Sequence, residues 1–332
     1  MSRRLRAALV GAVTALALAA CAAPLPTPQP DAVPVTLPPA VSTAQVDRIL
    51  ADLAETLAAA DATAPADAAA SAAALAPRVT GPAATLRAAQ YVRLAAGDTT
   101  ALTLVPPSEQ TLVVPTTDVW PRTVMVVTAA PEDLRAPLLL TLVQDGPREP
   151  YRLWSWVRLF PGVQMPATTQ PGIGSAPVAP DAGTLALAPA DVMAQYVDLL
   201  TNGDASAYAP VFAADPLRAG IAAQRDGWVA AVADKGSLTE TYQALDAPVS
   251  LATADGGAIV VGTVQTVTTI TLTDSTLTIG DLTAALLGAS TVASNLTLTW
   301  LSVVAFDVPP AGSAEPVAVL GAEHAPVQVT GS

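Results

Sequence analysis

The sequence predicts an α+β fold in which two tandem units, each made of helices packed on a curved antiparallel sheet, follow a lipoprotein signal peptide and a proline-rich tether. Three observations lead to this prediction. An apolar N-terminal stretch ends at the single cysteine, seven prolines follow within 19 residues, and the remaining sequence runs twice from helical to strand-like patterns. The predicted parts are a signal peptide, the lipidated cysteine with its tether, a first α+β domain, a linker and a second α+β domain, at residues 1–20, 21–40, 41–165, 166–188 and 189–332.

The N-terminus has the pattern of an export and lipidation signal. Its sequence, MSRRLRAALVGAVTALALAAC, has a basic start, an apolar stretch too short to span a bilayer, and small residues before the cysteine. The run Leu18, Ala19, Ala20 and Cys21 resembles the bacterial lipobox. This resemblance implies a diacylglyceryl anchor with fatty acyl chains such as palmitate, so membrane lipid is a predicted partner and the extracytoplasmic face of the cell membrane is the predicted location. An ordinary signal peptide cleaved at a nearby Ala-x-Ala site is the alternative.

Two further features belong to export and tethering. The pair Arg3 and Arg4 resembles a twin-arginine signal, but Arg6 stands where that signal prefers an apolar residue, so we expect the general secretion route. Proline at the density found in residues 22–40 favours an extended left-handed conformation, which spans about 60 Å at roughly 3.1 Å per residue. We therefore predict a tether, with a proline-rich ligand for a recognition domain as the alternative.

Composition excludes several kinds of site. The chain has one Cys and one His, too few for a zinc or iron site built on these residues, a Cys–His nucleophile pair or a disulfide framework. Its formal net charge is −13, and the sequence has no basic stripe of the kind that binds a phosphate backbone, so nucleic acid is excluded as an expected partner. The only histidine, His324, is expected to be a structural or surface residue. We predict no catalytic residue, no metal and no cofactor.

The first unit begins with helical patterns and continues with strands. Ser42 and Gln45 have the spacing of a capping box. Apolar residues then recur at helical intervals, at Val46, Ile49, Leu50, Leu53 and Leu57. More helix is expected over 58–76, broken near Pro65, and over 82–94. Strands rich in Val, Leu and Thr are expected over 111–115, 122–129, 136–144 and 151–160.

The second unit repeats this order after a segment, 161–180, that is rich in Pro and Gly. A helix is expected from Asp191 to Leu200, where Asn202 and Gly203 end it, and a second helix carries Leu217, Ile221, Trp228 and Val232. Strands are expected over 238–245, 258–272, 295–308 and 316–329. The cluster at 255–257 predicts a turn. Trp300 and Phe306 are predicted to face the core, and Trp228 to pack beneath the sheet.

This order resembles the cone-shaped fold of nuclear transport factor-like and cystatin-like domains, in tandem. The stretches AIVVGTVQTVTTITL (258–272), NLTLTWLSVVAFDVPPAGS (295–313), GAEHAPVQVTG (321–331) and PYRLWSWVRLFPGVQMP (150–166) resemble an uncharacterised domain family of actinobacterial lipoproteins. The resemblance covers most of the chain after the tether. It implies a fold and a location but no catalytic motif.

The strand at 151–160 carries the candidate interaction face. In a regular strand alternate residues share one side, so Arg152, Trp154, Trp156 and Arg158 are expected on one face and Leu and Val on the other. Arg and Trp are enriched at interface hot spots, and aromatic faces flanked by guanidinium groups also hold acidic or sugar ligands. Packing of this face against the second domain is the alternative.

These observations lead to two functional hypotheses. The first is a non-catalytic cell-envelope lipoprotein that binds or scaffolds another exported protein or an envelope polymer. The alternative is a small-ligand carrier, or a carboxylate-based enzyme, that uses a pocket inside one cone.

Overall fold

The computed structural model of the protein describes residues 37–130 and 135–332. The predicted signal peptide, the lipobox with Cys21 and the tether up to residue 36 lie outside the described residues. Residues 37–332 form one compact unit. None of the helices that the structure describes has both the length and the apolar character needed to cross a membrane.

The first half of this unit contains three helices followed by four strands: α1 (Thr43–Thr63), α2 (Ala68–Ala74), α3 (Gly81–Ala95), β1 (Glu109–Val113), β2 (Arg122–Thr128), β3 (Leu138–Gln144) and β4 (Arg152–Leu159). The predicted capping box starts α1, since Ser42 Oγ accepts a hydrogen bond from the backbone N–H of Gln45 and Gln45 Oε1 accepts one from that of Ser42. The break near Pro65 separates α1 from α2, as predicted.

The second half contains α4 (Pro189–Asn202), α5 (Pro216–Val232), β5 (Gly236–Ala252), β6 (Ala258–Leu272), β7 (Leu277–Thr278), α6 (Asp281–Leu287), β8 (Thr291–Val292), β9 (Asn295–Val308) and β10 (Ala318–Gly331). Two short 3-10 helices, Gly203–Ala205 and Ala209–Val211, lie between α4 and α5. Strands β6 and β9 have the predicted bounds. The turn at 255–257 is confirmed, because Thr253 accepts from the N–H of Gly256 and donates its own N–H to Gly257. The small β7–α6–β8 unit was not predicted.

Eight strands form one strongly curled antiparallel sheet in the order β1-β2-β3-β4-β10-β9-β6-β5. This confirms the predicted α+β class with helices packed on a curved antiparallel sheet. The two helix-then-strand units share this sheet, because β4 pairs with β10 through Leu159 with Gly321 and Arg158 with Ala322. The strands approach so closely that a Cβ on Gly321 would clash with the carbonyl oxygen of Arg158.

The segment predicted as a linker ties the two edges of this curled sheet together. The N–H of Ser175 donates to the carbonyl of Val114, just after β1, at 2.8 Å. Three residues later, the N–H of Val178 donates to the carbonyl of Ser250 in β5 at 3.1 Å. Because β1 and β5 are the edge strands, these bonds connect the first strand of the sheet order to the last.

The two faces of the sheet belong to different apolar clusters. One cluster joins α1–α3 and β1–β4 to the β6 and β9 side chains Ile259, Val261, Leu301 and Val303. The other face packs against α4, where Tyr196, Phe212 and Phe306 form a ring cluster with centres 5.0–6.4 Å apart. A third cluster holds Trp300 with the partly buried Trp228 of α5. The predicted core positions of Trp300 and Phe306 are confirmed by exposures of 8% and 0%.

Helix α3 fills the place where the two halves of the sheet meet. Strands β4 and β10 pair over only two residue pairs. Helix α3 contacts β4, β9 and β10, and also α6 of the second half. The side chains on its sheet-facing side therefore lie between the two halves.

Candidate functional site

The largest cleft for which the structure gives a lining among the described residues lies between α1, α3, the segment 104–108 and the end of β2. Its volume is about 660 Å³. Its walls are apolar and include Leu57, Leu104 and Val105. Its polar lining includes Asp61 of α1 and Arg87 of α3. A concave, mostly apolar cavity with a few convergent polar groups is the usual form of a small-ligand site.

Arg87 is held rigidly at the base of this cleft. The residue is 1% exposed, and its Nη1 donates to Gln90 Oε1 at 2.9 Å and to the carbonyl of Thr103 at 3.0 Å. Gln90 in turn donates from Nε2 to Thr103 Oγ1 at 3.0 Å, which fixes its amide orientation. The buried Nε of Arg87 has no hydrogen-bond partner among the described residues. One donor of a fixed guanidinium is therefore unused.

Aromatic rings flank the same guanidinium. Its carbon lies 5.7 Å from the ring centre of Trp156 in β4 and 6.0 Å from that of Tyr91 in α3. Both distances fall within the range of cation–π attraction. The rings reduce the cost of burying the charge and prevent the guanidinium from moving sideways.

Asp61 supplies the compensating charge. Its Oδ1 accepts a hydrogen bond from Tyr91 OH at 2.7 Å and lies 3.8 Å from Arg87 Nε. Its side chain is 23% exposed. Its other oxygen, Oδ2, accepts no hydrogen bond from the part of the chain that the structure describes. The cleft therefore has an unused donor and an unused acceptor next to each other.

Burial shifts the pKa values of Arg87 and Tyr91 in opposite directions. Burial lowers the pKa of Arg87 below its ordinary value, against the effects of Asp61, Tyr91 and Glu323, which raise it. Burial raises the pKa of Tyr91 well above its usual range, and the hydrogen bond to Asp61 adds to this. Tyr91 stays protonated near neutral pH and keeps donating to Asp61.

Glu323 of β10 is the second carboxyl group that acts on Arg87. Burial raises its pKa, while Arg158, Trp156, Arg87 and Arg93 lower it. Arg87 of α3 is therefore acted on by Asp61 of α1 and by Glu323 of β10.

The polar lining of the cleft is suited to hydrogen bonding with a ligand. No group of three or more His, Cys, Asp and Glu side chains within residues 37–130 and 135–332 is placed to hold a metal ion. The polar groups that line the cleft are a guanidinium, a carboxylate and Ser108. These groups hydrogen-bond and orient a molecule.

The predicted shared face of β4 does not form as a single stripe, because a bulge interrupts the strand. Thr141 of β3 pairs with Ser155 and the next residue, Leu142, pairs with Leu153, so Trp154 is the extra residue. Beyond this bulge the side chains change sides. Arg152 consequently lies on the opposite face from Trp156 and Arg158, and the regular alternation assumed from the sequence is wrong here.

The four residues of the candidate interaction face have separate surroundings. Trp156 is 0% exposed and packs under Arg87. Trp154 is half-buried against α3, so close that a Cβ on Gly81 would lie 2.6 Å from its Cδ1. Arg152 forms an ion pair with Asp145. Arg158 is half-buried and donates from Nη1 to the carbonyl of Ala136 at 2.9 Å. Their role in binding a partner stays a prediction.

The single histidine is partly buried next to a fully buried serine. Nδ1 of His324 lies 2.8 Å from Oγ of Ser302, and the imidazole stacks on Trp300 with ring centres 5.0 Å apart. Burial lowers the pKa of His324 to about 4, while Glu240 acts in the opposite direction. Because Ser302 is 0% exposed, this pair is not presented to a substrate.

Sequence reasoning missed Arg87, Asp61 and Tyr91. Arg87 and Tyr91 are one turn apart among the buried positions of α3. Asp61 lies one turn after the buried Leu57 of α1. A charged residue on the apolar side of a helix is a signal that the sequence contains, and it would have pointed to this site.

The chain matches a known protein family. A family model described as a domain of unknown function, DUF8094, matches residues 37–331. No curated protein matches the chain, and no solved structure matches it. The match supports the predicted uncharacterised domain over nearly all of the described chain.

Proposed function

The chain belongs to the DUF8094 family of domains of unknown function, and we propose that it is a non-catalytic cell-envelope lipoprotein whose cleft binds a small, largely apolar ligand. The observation that carries this proposal is the rigid, buried Arg87 at the base of an apolar cleft of about 660 Å³. Ligand sites commonly measure about 300–1,000 Å³ and are largely formed before the ligand binds.

The cellular location is part of the proposal and is supported by the sequence of residues 1–21. Cys21 is the acyl-accepting residue, and two acyl chains give the stable anchoring that a single chain does not. Growth with an alkyne-tagged fatty acid should label the native protein in the membrane fraction. Cys21→Ala should abolish the label. Label retained in this variant would contradict the anchor.

Binding in the cleft can be tested with Nile red, a neutral dye whose fluorescence rises in apolar surroundings. We expect saturable binding to the native protein. Ala58 lines the cleft and is exposed, so Ala58→Trp fills the cleft without disturbing the core. This variant should bind the dye at least ten-fold more weakly.

The matched control is Ala59→Trp, one residue further along α1. Ala59 is equally exposed and is outside the cleft lining. The Ala59→Trp variant should bind Nile red as tightly as the native protein does. Equal binding by both tryptophan variants, or no saturable binding at all, would reject the cleft as the ligand site.

A further inference from the structure

We infer that the ligand of this cleft is an uncharged amphiphile, an apolar chain or ring with one amide or hydroxyl group that reaches Arg87 and Asp61. The inference rests on the proposed function and adds the chemical class of the ligand. It follows from three properties of the cleft: its walls, its unused hydrogen-bonding groups and its balanced charge.

The apolar walls of the cleft favour a ligand whose main part is apolar. Leu57, Val105 and two prolines line the cleft, and Leu104 at its opening is 66% exposed. An exposed leucine beside a preformed apolar cavity gains from a ligand that removes both from water. The extended set of apolar residues along 104–107 fits a ligand longer than its head group.

The base of the cleft favours a ligand group that both accepts and donates a hydrogen bond. Arg87 Nε is a buried donor without a partner, and Asp61 Oδ2 is an acceptor without one among the described residues. A buried donor left unsatisfied is costly, so a ligand that supplies an acceptor there gains binding free energy. An amide or a hydroxyl offers an acceptor and a donor within a few atoms. A hydrocarbon alone offers neither.

The charges exclude an ionic head. The guanidinium of Arg87 already has Asp61 at 3.8 Å and Glu323 acting on it from β10. A carboxylate head would therefore meet Asp61 beside a guanidinium that already has a counter-charge, and an ammonium head would meet the guanidinium. Either head would place an unmatched charge in a partly buried site, which costs binding free energy.

Head groups can be compared at constant chain length. Octanamide, 1-octanol, octanoate and octylammonium carry the same alkyl chain and differ only in the head. At neutral pH and low salt, octanamide and 1-octanol should displace Nile red from the native protein at concentrations at least ten-fold lower than the two ions. Octanoate or octylammonium as the strongest competitor would overturn the inference, and so would failure of all four to displace the dye.

A variant isolates the charge of the site. Asp61→Asn removes the negative charge while its amide oxygen still accepts from Tyr91 OH, so the fold should persist, as circular dichroism will show. Octanoate should then gain at least ten-fold relative to octanamide, because the guanidinium has lost its nearest carboxylate. Asp47→Asn, at an exposed position of the same helix, is the matched control and should leave the ranking unchanged. An unchanged ranking in Asp61→Asn would overturn the inference.

Binding in the cleft and the chemical class of the ligand are tested by different outcomes. If Nile red does not bind, or binds Ala58→Trp as tightly as Ala59→Trp, the proposed function fails. If the dye binds in the cleft and an ionic octyl probe ranks first, only the uncharged ligand class fails.

Discussion

The guanidinium of Arg87 lies 5.7 Å from the ring centre of Trp156, and the two side chains are 1% and 0% exposed. Arg87 belongs to α3 and Trp156 to β4, so this contact fixes the helix on the sheet. The same contact supports the base of the cleft from below. A change at Trp156 should therefore affect both stability and ligand binding.

Trp156→Ala should lower the free energy of unfolding by about 3–5 kcal/mol, the usual range for a fully buried large aromatic residue. Because Arg87 loses the ring beneath it, the variant should also bind Nile red more weakly. Urea unfolding and dye titration measure the two effects. Trp156→Phe keeps an aromatic ring under the guanidinium and should lose less of each. Native-like stability in Trp156→Ala would contradict the buried contact.

The pairing of β4 with β10 depends on Gly321. A Cβ at this position would clash with the carbonyl oxygen of Arg158 and lie 2.8 Å from Cα of Leu159. Because these are backbone atoms in the two residue pairs that join β4 to β10, they cannot move aside alone. Gly321→Ala should lower the free energy of unfolding by about 1–3 kcal/mol in urea, the usual cost of overpacking.

Gly172→Ala is the matched control for this prediction. A Cβ at Gly172 would meet no atom within 4 Å. Its substitution should change stability by no more than about 0.5 kcal/mol, as is usual on the surface. Equal losses in the two variants would mean that the close approach at Gly321 has no special energetic role.

Local patterns in the sequence predicted the elements well where a single physical rule governs them. The capping box at Ser42 and the apolar spacing after it fix the start of α1. Continuous runs of Val, Leu and Thr fix β6 and β9, which are buried along most of their length. These features depend on residues that are near each other in the chain.

The candidate site could not be predicted in the same way because it depends on distant residues. The bulge at Trp154 arises from the pairing of β4 with β3, which the strand's own sequence does not encode. Arg87 and Trp156 lie 69 positions apart, so their contact requires the packing of α3 on β4. Joining two similar units into one sheet likewise depends on pairing between residues near 159 and 321.

The surroundings of His324, which contacts Ser302 and Trp300, can be tested directly, since a single histidine gives one assignable set of imidazole NMR signals. Its pKa should be about 4, below the ordinary 6.5, because burial disfavours the charged form. The unfolded chain then binds the proton more readily than the folded one. The stability associated with neutral His324 is fully present above pH 6.5 and is lost as the pH falls toward 4.

His324→Gln should flatten this acid dependence by roughly 2 kcal/mol between pH 6.5 and 4, measured by urea unfolding. The variant loses the stacking on Trp300, so its stability at neutral pH serves as the reference for each profile. A titration midpoint near 6.5 in the native protein would contradict the burial of the imidazole.

For Asp307 we expect the opposite dependence of stability on pH. Burial raises its pKa to about 6 from 3.8, and the nearby Asp255 and Glu315 add to the increase. The folded chain therefore holds this proton more tightly than the unfolded chain, so the associated stability is present below pH 3.8 and is lost as the pH rises through 6. Asp307→Asn should raise the free energy of unfolding at pH 7.5 by about 1 kcal/mol, less than the full shift implies because solvent screens a half-buried carboxyl. At pH 3.5 the substitution should leave stability nearly unchanged.

Asp226→Asn, at an exposed position of α5, is the control and should change stability little at either pH. Urea unfolding at each pH gives the difference in stability between variant and native protein, and the contribution of His324 cancels in this difference. An Asp307→Asn variant that is less stable than the native protein at pH 7.5 would contradict the prediction, because it would show that the ionised Asp307 stabilises the fold.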